Sequence, residues 1–253
     1  MSADGDERLI VGEGVPDAHW LCAPELAAVP EMGVERLMAG VARLVVLSPH
    51  PDDEVLGVGG LIASARCMGR PVQVLAATDG EACYPGEARW SPAELARVRR
   101  DELRQALDVL GDGIGIEHLR FPDGGLQAAQ SALQARIAQC LRRGDLLLVP
   151  WRHDGHPDHE AAAQAGLAAA LDAGCRCLEY PIWGWHWAAP ETGRMPLARA
   201  MRLSMPPSLQ ARKREAIDAF ASQLGTGTFD VEAPILPPWA RVRFERSFEV
   251  LFA

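Results

Sequence analysis

The sequence has no apolar run long enough to cross a bilayer as a helix. It also lacks the basic start and apolar centre of a signal peptide, because residues 1–10 are acidic and polar. Positive charge is scarce, since 25 Lys and Arg face 34 Asp and Glu for a formal net charge of −9. These absences argue against membrane insertion and against nucleic acid as a partner, and we expect a cytoplasmic protein.

Paired cysteines at metal-binding spacing are missing too. We expect the six cysteines to be buried, reduced thiols, as in a cytosolic protein; they are Cys22, Cys67, Cys83, Cys140, Cys175 and Cys177. The chain has neither an internal repeat nor a low-complexity tract. Its 48% apolar and 23% charged residues are typical of a globular domain.

Short apolar runs alternate with helix-like stretches from Arg43 onward. The runs predict strands over residues 43–48, 71–78, 116–121, 145–150 and 175–180. The intervening periodicity predicts helices over residues 55–68, 92–110, 126–143 and 157–173. This alternation predicts a single α/β domain with a Rossmann-like, mostly parallel sheet and helices on both faces.

The flanking regions are less regular. We expect residues 1–42 to form an extension packed on the domain, which spans residues 43–253. Residues 181–207 show no clear period and are typical of an active-site lid or substrate loop. Three tryptophans in that segment could stack on a sugar or pack in the core, and the sequence does not choose; they are Trp183, Trp185 and Trp187.

Two further elements are expected near the end of the chain. Residues 208–224 predict a helix on which 212–214 (RKR) form a solvated face. Residues 241–252 alternate at period two and predict a final edge strand. Because edge strands can pair with a second copy, this strand allows a homo-oligomer.

Two clusters of ionisable side chains follow predicted strands. The first is His50-Pro51-Asp52-Asp53-Glu54, directly after the first strand. The second, residues 151–160, follows the fourth strand and includes His156-Pro157-Asp158-His159. Adjacent carboxylates repel, and a cation among them is the simplest reason for placing them beside an imidazole.

The carboxyl ends of neighbouring parallel strands meet at one edge of a sheet, where ligands of such folds bind. If the first and fourth strands are neighbours, the two clusters face each other there. Two histidines and one aspartate would make a three-ligand site with an open position, the catalytic form of a zinc centre.

The clusters resemble those of the LmbE/PIG-L family of zinc-dependent N-acetylglucosaminyl deacetylases, over roughly residues 43–223. Weaker matches flank them, namely Thr78-Asp79-Gly80-Glu81, Arg99 with Glu102, Pro122-Asp123-Gly124, and Ser222-Gln223 after Lys213. The resemblance implies hydrolysis of the linear amide C–N bond of an N-acylated amino sugar or its conjugate, a small-molecule substrate.

The same resemblance implies a ligand set of His50, Asp53 and His159 for one divalent metal. Zn²⁺ is the family's metal, and iron or manganese can occupy such sites.

The resemblance also implies roles for the remaining residues. Asp52 would be the base that takes a proton from metal-bound water, and His156 would stabilise the oxyanion or protonate the leaving amine. Asp158 would orient the ring of His156. Arg99 and Asp123 become candidates for substrate contact. Amide hydrolysis needs an activated water, stabilised charge and a proton for the amine, so these roles are chemically consistent.

Two other functional classes fit parts of the sequence. A non-heme iron oxygenase also uses two histidines and one carboxylate, but it has no evident need for a base such as Asp52. A nucleotide-binding or scaffold protein would explain 57–60 (GVGG), yet Ile62 stands where the last glycine of the dinucleotide fingerprint belongs. We interpret these glycines as sites of close helix packing.

Overall fold

Seven strands form one mixed sheet in the computed structural model, which describes residues 8–87 and 89–253. In chain order they are β1 Arg43–Ser48, β2 Val72–Thr78, β3 Gly115–Phe121, β4 Asp145–Pro150, β5 Arg176–Tyr180, β6 Ala200–Ser204 and β7 Phe248–Phe252. Their spatial order is β3-β2-β1-β4-β5-β7-β6, with β1 to β5 parallel and β7 antiparallel to both neighbours. The predicted α/β domain with a mostly parallel sheet is confirmed.

Long helices cover both faces of this sheet. They are α1 Asp53–Cys67, α2 Pro92–Leu110, α3 Gln130–Cys140, α4 Pro157–Ala173 and α5 Pro207–Asp218. Helices α1, α2 and α5 contribute to one apolar core, and α3 and α4 contribute to the other. Helices on both faces require strands that are apolar throughout, which is why β1 and β4 read as continuous apolar runs.

Strand β1 shows how one sequence serves both cores. Leu44 and Val46 belong to the first core, whereas Val45 and Leu47 belong to the second. Successive side chains of a strand point to opposite faces, so the run is buried on both sides. At its carboxyl end the chain must turn into α1 between neighbours β2 and β4.

The glycines of α1 permit close packing, as the sequence predicted. A Cβ on Gly57 would meet the Tyr180 ring at 2.3 Å, and one on Gly60 would meet the Met205 sulfur at 1.9 Å. The helical geometry is interrupted between them, at Val58. These positions therefore hold α1 against β5 and the segment that follows β6.

The expectation that residues 181–207 lack regular structure was wrong in part. This segment contains a short helix, Gly184–Trp187, and the whole of β6. The predicted helix over residues 208–224 is also broken, because α5 ends at Asp218 and a separate turn covers Ala221–Leu224. Strand β6 escaped detection since it is short and has Arg202 at its centre.

The prediction of an edge strand over residues 241–252 was wrong both in the length of the strand and in its position in the sheet. Residues Pro238–Arg241 and Val242–Phe244 form helical turns, and only β7 is extended. Arg243 and Arg246 are buried, so the charged residues do not mark a solvent face. Because β7 lies between β5 and β6, it cannot pair with a second copy, and the stated reason for a homo-oligomer no longer applies.

Two smaller expectations also need correction. Lys213 is not on a solvated face; it is buried and donates a 2.7 Å hydrogen bond to Glu249 Oε1. All six cysteines are free, but the expectation that they are buried was wrong, because Cys22 and Cys67 are exposed and the other four are only partly buried. The sequence did not reveal that Lys213 is buried, because a long Lys side chain can fill a core position when a carboxylate pairs with it.

Several of the described residues before β1 lie against the domain. Trp20 is buried, and its indole N–H donates to Trp185 O at 3.0 Å. Further along, the N–H of Met32 donates to Arg202 O, and the N–H of Arg202 donates to Pro30 O, both at 2.9 Å. Residues 30–32 therefore cover the outer edge of β6. Within the described ranges, no helix is both long and apolar enough to cross a membrane.

Candidate metal centre

The two clusters meet because β1 and β4 are adjacent and parallel. His50 and Asp53 follow β1, and His159 lies in the first turn of α4, after β4. One ligand atom from each of these three residues lies within 4.8 Å of the others. The strand order thus brings together two segments that are about a hundred residues apart in the sequence.

His159 is oriented by a residue that the sequence analysis left without a role. Asp154 Oδ2 lies 2.8 Å from Nδ1 of His159, and both side chains are fully buried. The same carboxylate accepts the backbone N–H groups of residues 182, 183 and 184, each at 2.9 Å. A carboxylate on one ring nitrogen fixes the tautomer and leaves the other nitrogen free to bind a metal.

His50 is held from both sides by carboxylates. Its Nδ1 lies 3.3 Å from Asp53 Oδ2, and its Nε2 lies 3.2 Å from Asp123 Oδ1 and 3.4 Å from Asp158 Oδ2. Burial opposes a charged ring, but hydrogen bonds to Asp123, Asp158 and Asp53 raise the pKa of His50 well above its usual value. Asp123, expected to touch substrate, therefore also contacts a candidate ligand.

Asp52, the residue directly before α1, has a strained backbone conformation. Its φ of 142° lies outside the range that residues with a side chain normally adopt. The carboxylate is buried, and Arg99 donates to it at 3.1 Å. Burial raises the pKa of Asp52 to about 7, although the Arg99 charge opposes the shift.

Arg99 contacts the chain more than it faces solvent. Besides Asp52, its guanidinium donates to Pro51 O at 2.6 Å, and it is almost fully buried. One helical turn further along α2, Glu102 accepts the N–H and the hydroxyl of Ser222 at 2.7 and 2.6 Å. Two of the weaker sequence matches are therefore one buried network beside the site.

His156 and Asp158 are not arranged as the sequence predicted. The Asp158 carboxylate accepts the N–H groups of Gly124 and Leu126 and approaches His50, rather than holding the ring of His156. Instead, the backbone N–H of Asp158 donates to His156 Nδ1 at 3.2 Å. Burial, with the charges of His159 and His50, lowers the pKa of His156 to about 3.

The side chains fit a divalent cation. Nε2 of His159 is buried without a hydrogen-bond partner, although Asp53 Oδ2 is only 3.2 Å away. Burial disfavours a charged His159, but Asp53 and Asp154 raise its pKa to about 9. Carboxylates that favour positive charge on both imidazoles would equally favour a cation in place of those protons.

A cavity of about 680 Å³ opens onto this centre. Its polar lining includes His50, Asp52, Asp123 and His156, and Gln223 adds a buried Oε1 without a partner. Of the three tryptophans, only Trp183 lines it. Trp185 packs on Trp20, and Trp187 stacks on Trp151.

Sequence reasoning missed two residues here. Asp154 had a usable signal, because it precedes a histidine in a segment dense in ligands. Gln223 belonged to a weak match but had no expected function, since nothing in the sequence places residue 223 beside β1.

The chain resembles known sugar deacetylases. Residues 45–170 match the family model described as PIG-L, GlcNAc-PI de-N-acetylase. A 1D-myo-inositol 2-acetamido-2-deoxy-alpha-D-glucopyranoside deacetylase of Rhodococcus jostii is 29% identical over 243 residues, covering 72% of this chain and 82% of that protein. A diacetylchitobiose deacetylase of Thermococcus kodakarensis is 34% identical over 140 residues, covering 53% and 51%.

A solved structure has the same fold. The N,N'-diacetylchitobiose deacetylase of Pyrococcus horikoshii superposes with a TM-score of 0.59 at 21% identity, covering 78% of this chain and 75% of that one. At 21% identity this likeness shows the fold alone. The family match over residues 45–170 includes the candidate ligands His50, Asp53 and His159. Neither the comparisons nor the described residues favour an oxygenase or a nucleotide-binding scaffold.

Proposed function

The chain carries a domain of the PIG-L family, and from that premise we propose that it hydrolyses the N-acyl group of an amino sugar or its conjugate. The observation that carries the proposal is the ligand triad itself. Ligand atoms of His50, Asp53 and His159 lie within 4.8 Å of one another, and the first two residues line the same cavity as Asp52. A metal centre beside a buried carboxylate can activate a water for the hydrolysis of an unactivated amide.

We propose that these three residues hold one divalent metal, with zinc as the first candidate. Two imidazoles and one carboxylate suit zinc, and iron or manganese would use the same donors. When bound, such a metal supplies a Lewis acid that lowers the pKa of water and polarises a carbonyl oxygen.

Asp52 would act as the base. Its carboxylate takes a proton from the water whose oxygen forms a bond to the acyl carbon. It then gives that proton to the amine nitrogen as the C–N bond breaks. Arg99 keeps the buried carboxylate in place through its 3.1 Å hydrogen bond. Strained backbone conformations cluster at functional sites, so the φ of Asp52 is consistent with this role.

His156 would stabilise the oxyanion that develops on the acyl oxygen. Because its Nδ1 accepts the N–H of Asp158, a neutral ring carries its proton on Nε2. That N–H can donate a hydrogen bond to developing negative charge. Of the two roles that the resemblance implied for His156, this geometry supports oxyanion stabilisation rather than protonation of the amine.

A small amino-sugar compound is the proposed substrate, and Asp123 and Gln223 are the proposed polar contacts. Both line the cavity, and Gln223 Oε1 has no partner within the described chain. We also propose a cytoplasmic location, because the six free cysteines fit a reducing compartment.

Acetate release from a panel of N-acetylated glucosamine glycosides tests this function. The zinc-loaded protein should release acetate, a chelator should stop the reaction, and added Zn²⁺ should restore it. Absence of acetate across the whole panel with metal-loaded, folded protein would reject the proposal. Oxygen consumption without acetate release would favour the oxygenase instead.

A further inference from the structure

The cavity at the metal centre is lined by two chemically different sets of residues. The polar set includes His50, Asp52, Asp123 and His156. We call the apolar set the apolar wall, which consists of Leu56, Trp183, Ile235, Trp239 and Phe244. The aliphatic and phenyl side chains of this wall offer no hydrogen-bonding partner to sugar hydroxyls.

The wall begins close to the reacting centre. Leu56 follows Asp53 by three residues in α1, so both side chains lie on one face of the helix. Both line the same cavity. A ligand whose amide reached the metal would therefore meet apolar surface within about one helical turn, roughly 5 Å.

Part of the wall lies on a conformationally restricted segment. Pro234, Pro237 and Pro238 restrict the backbone that carries Ile235 and Trp239. The same segment is tied to another residue of the cavity lining, because the N–H of Leu236 donates to Gln223 O at 2.8 Å. Such restraints lower the entropic cost of binding an apolar group.

Near the apolar wall the cavity offers little to a charged group. Arg243 lies beneath the Trp239 ring at 5.2 Å, and its terminal nitrogens contact His186 Nδ1 and the carbonyls of Glu13 and Val15. A phosphate would have to compete with these partners, whereas an apolar group would not.

We infer that the apolar wall binds an apolar group attached to the amino sugar, so that the substrate is an amphipathic conjugate rather than a free polar saccharide. The inference rests on the proposed function for the position of the amide. The cavity of about 680 Å³ lies in the range that encloses a drug-sized ligand. The apolar group can be the aglycone or a long acyl chain, and the two are separated by experiment.

The test compares kcat/KM for substrates that differ only in apolar length. One arm uses the methyl and octyl glycosides of N-acetylglucosamine below micellar concentration. The other uses methyl glycosides of N-acetyl- and N-octanoylglucosamine. Each methylene that the wall covers should raise kcat/KM about four-fold. In the arm whose apolar group binds the wall, kcat/KM of the long-chain substrate should therefore exceed that of the short-chain one by at least about ten-fold.

A matched pair of variants links the gain to the wall. Ile235→Asn adds a polar amide to the half-buried wall and should reduce the octyl-to-methyl ratio at least about five-fold. Val242→Asn changes an exposed residue of the same segment outside the cavity and should leave the ratio unchanged. Equal losses in both variants would contradict the inference.

A binding measurement keeps the two proposals separate. Titration of tryptophan fluorescence with octyl and methyl glucoside, which contain no amide, needs no turnover. Tighter octyl binding without release of acetate or octanoate from any substrate would reject the proposed function and support the wall. If acetate is released but the short and long substrates of each arm have equal kcat/KM, and the two glucosides bind equally, the inference about the wall is rejected. The proposed function is then unaffected.

Discussion

Nδ1 of His159 lies 2.8 Å from the carboxylate of Asp154, five residues earlier in the chain. The pair joins a candidate metal ligand to the wall of the cavity, because Asp154 also accepts the N–H groups of Ile182, Trp183 and Gly184. One buried side chain thus sets both the tautomer of a ligand and the path of the chain after β5.

Asp154→Asn should weaken metal binding about 10- to 100-fold, because it removes the charge that favours the proton on His159 Nδ1. Metal content after dialysis against graded concentrations of a chelator measures this. His159→Ala should lose the metal altogether. Asp172→Asn, on the exposed side of the same helix, is the control and should bind normally. Tight binding by His159→Ala would show that the ligand set is wrong.

Asp52→Asn should keep the metal and lose turnover by about 10²- to 10⁴-fold, because the amide cannot accept the proton from water. Acetate release and metal content are measured on the same sample. Asp101→Asn alters an exposed carboxylate of α2 and should retain full activity. A near-normal rate in Asp52→Asn would remove Asp52 from the mechanism.

Lys213→Met should destabilise the protein by about 3–5 kcal/mol, because it leaves Glu249 buried without its cation. The double variant Lys213→Met with Glu249→Gln should be more stable than Lys213→Met alone. Urea unfolding measures both. Arg214→Met, at the exposed neighbouring position, should change stability by less than about 0.5 kcal/mol. A double variant that is less stable than Lys213→Met would contradict the view that the unpaired Glu249 carboxylate causes the loss.

Asp79 should contribute stability that is lost in acid. Burial would raise its pKa, but His118 at 3.4 Å and Arg100 at 2.5 Å together lower it. Since the folded pKa lies below the unfolded value of about 3.9, the contribution is present above that pH and disappears as pH falls through the folded pKa. Asp79→Asn should therefore lower the urea midpoint at pH 7 and reduce its fall toward pH 3.

The matched control for that experiment is Asp108→Asn, an exposed position on α2. Its midpoint should follow the parent protein at both pH values. If Asp79→Asn lowers the urea midpoint by the same amount at pH 7 and at pH 3, the loss reflects packing rather than a charge interaction.

The parallel half of the fold was predictable because β1, β2 and β4 are apolar on both faces and alternate with helical patterns. Helices α2 and α4 were predicted with their observed bounds, since Ser91 caps the first and Pro157 and Gly174 bound the second. In contrast, β7 could not be predicted as internal. Its position depends on pairing with β5 and β6, and such long-range pairing leaves no local pattern in the sequence.

The candidate site was predictable in its location but not in its supporting contacts. Two motifs at two strand ends were enough to expect convergence once β1 and β4 were assumed to be neighbours. The carboxylate of Asp158 contacts His50 rather than the ring of His156, and this depends on backbone geometry at Gly124 and Leu126 that the motif does not encode. The apolar wall depends on a segment that no motif covers.

Residues 30–32 along the outer edge of β6 have a consequence for aggregation. An uncovered edge strand presents free N–H and C=O groups to which other molecules can add strands. Met32→Pro would remove the N–H that bonds to Arg202 O and should bare this edge, making the protein prone to form oligomers that light scattering detects. A short stretch with no part in the chemistry would thus keep each molecule separate from its copies.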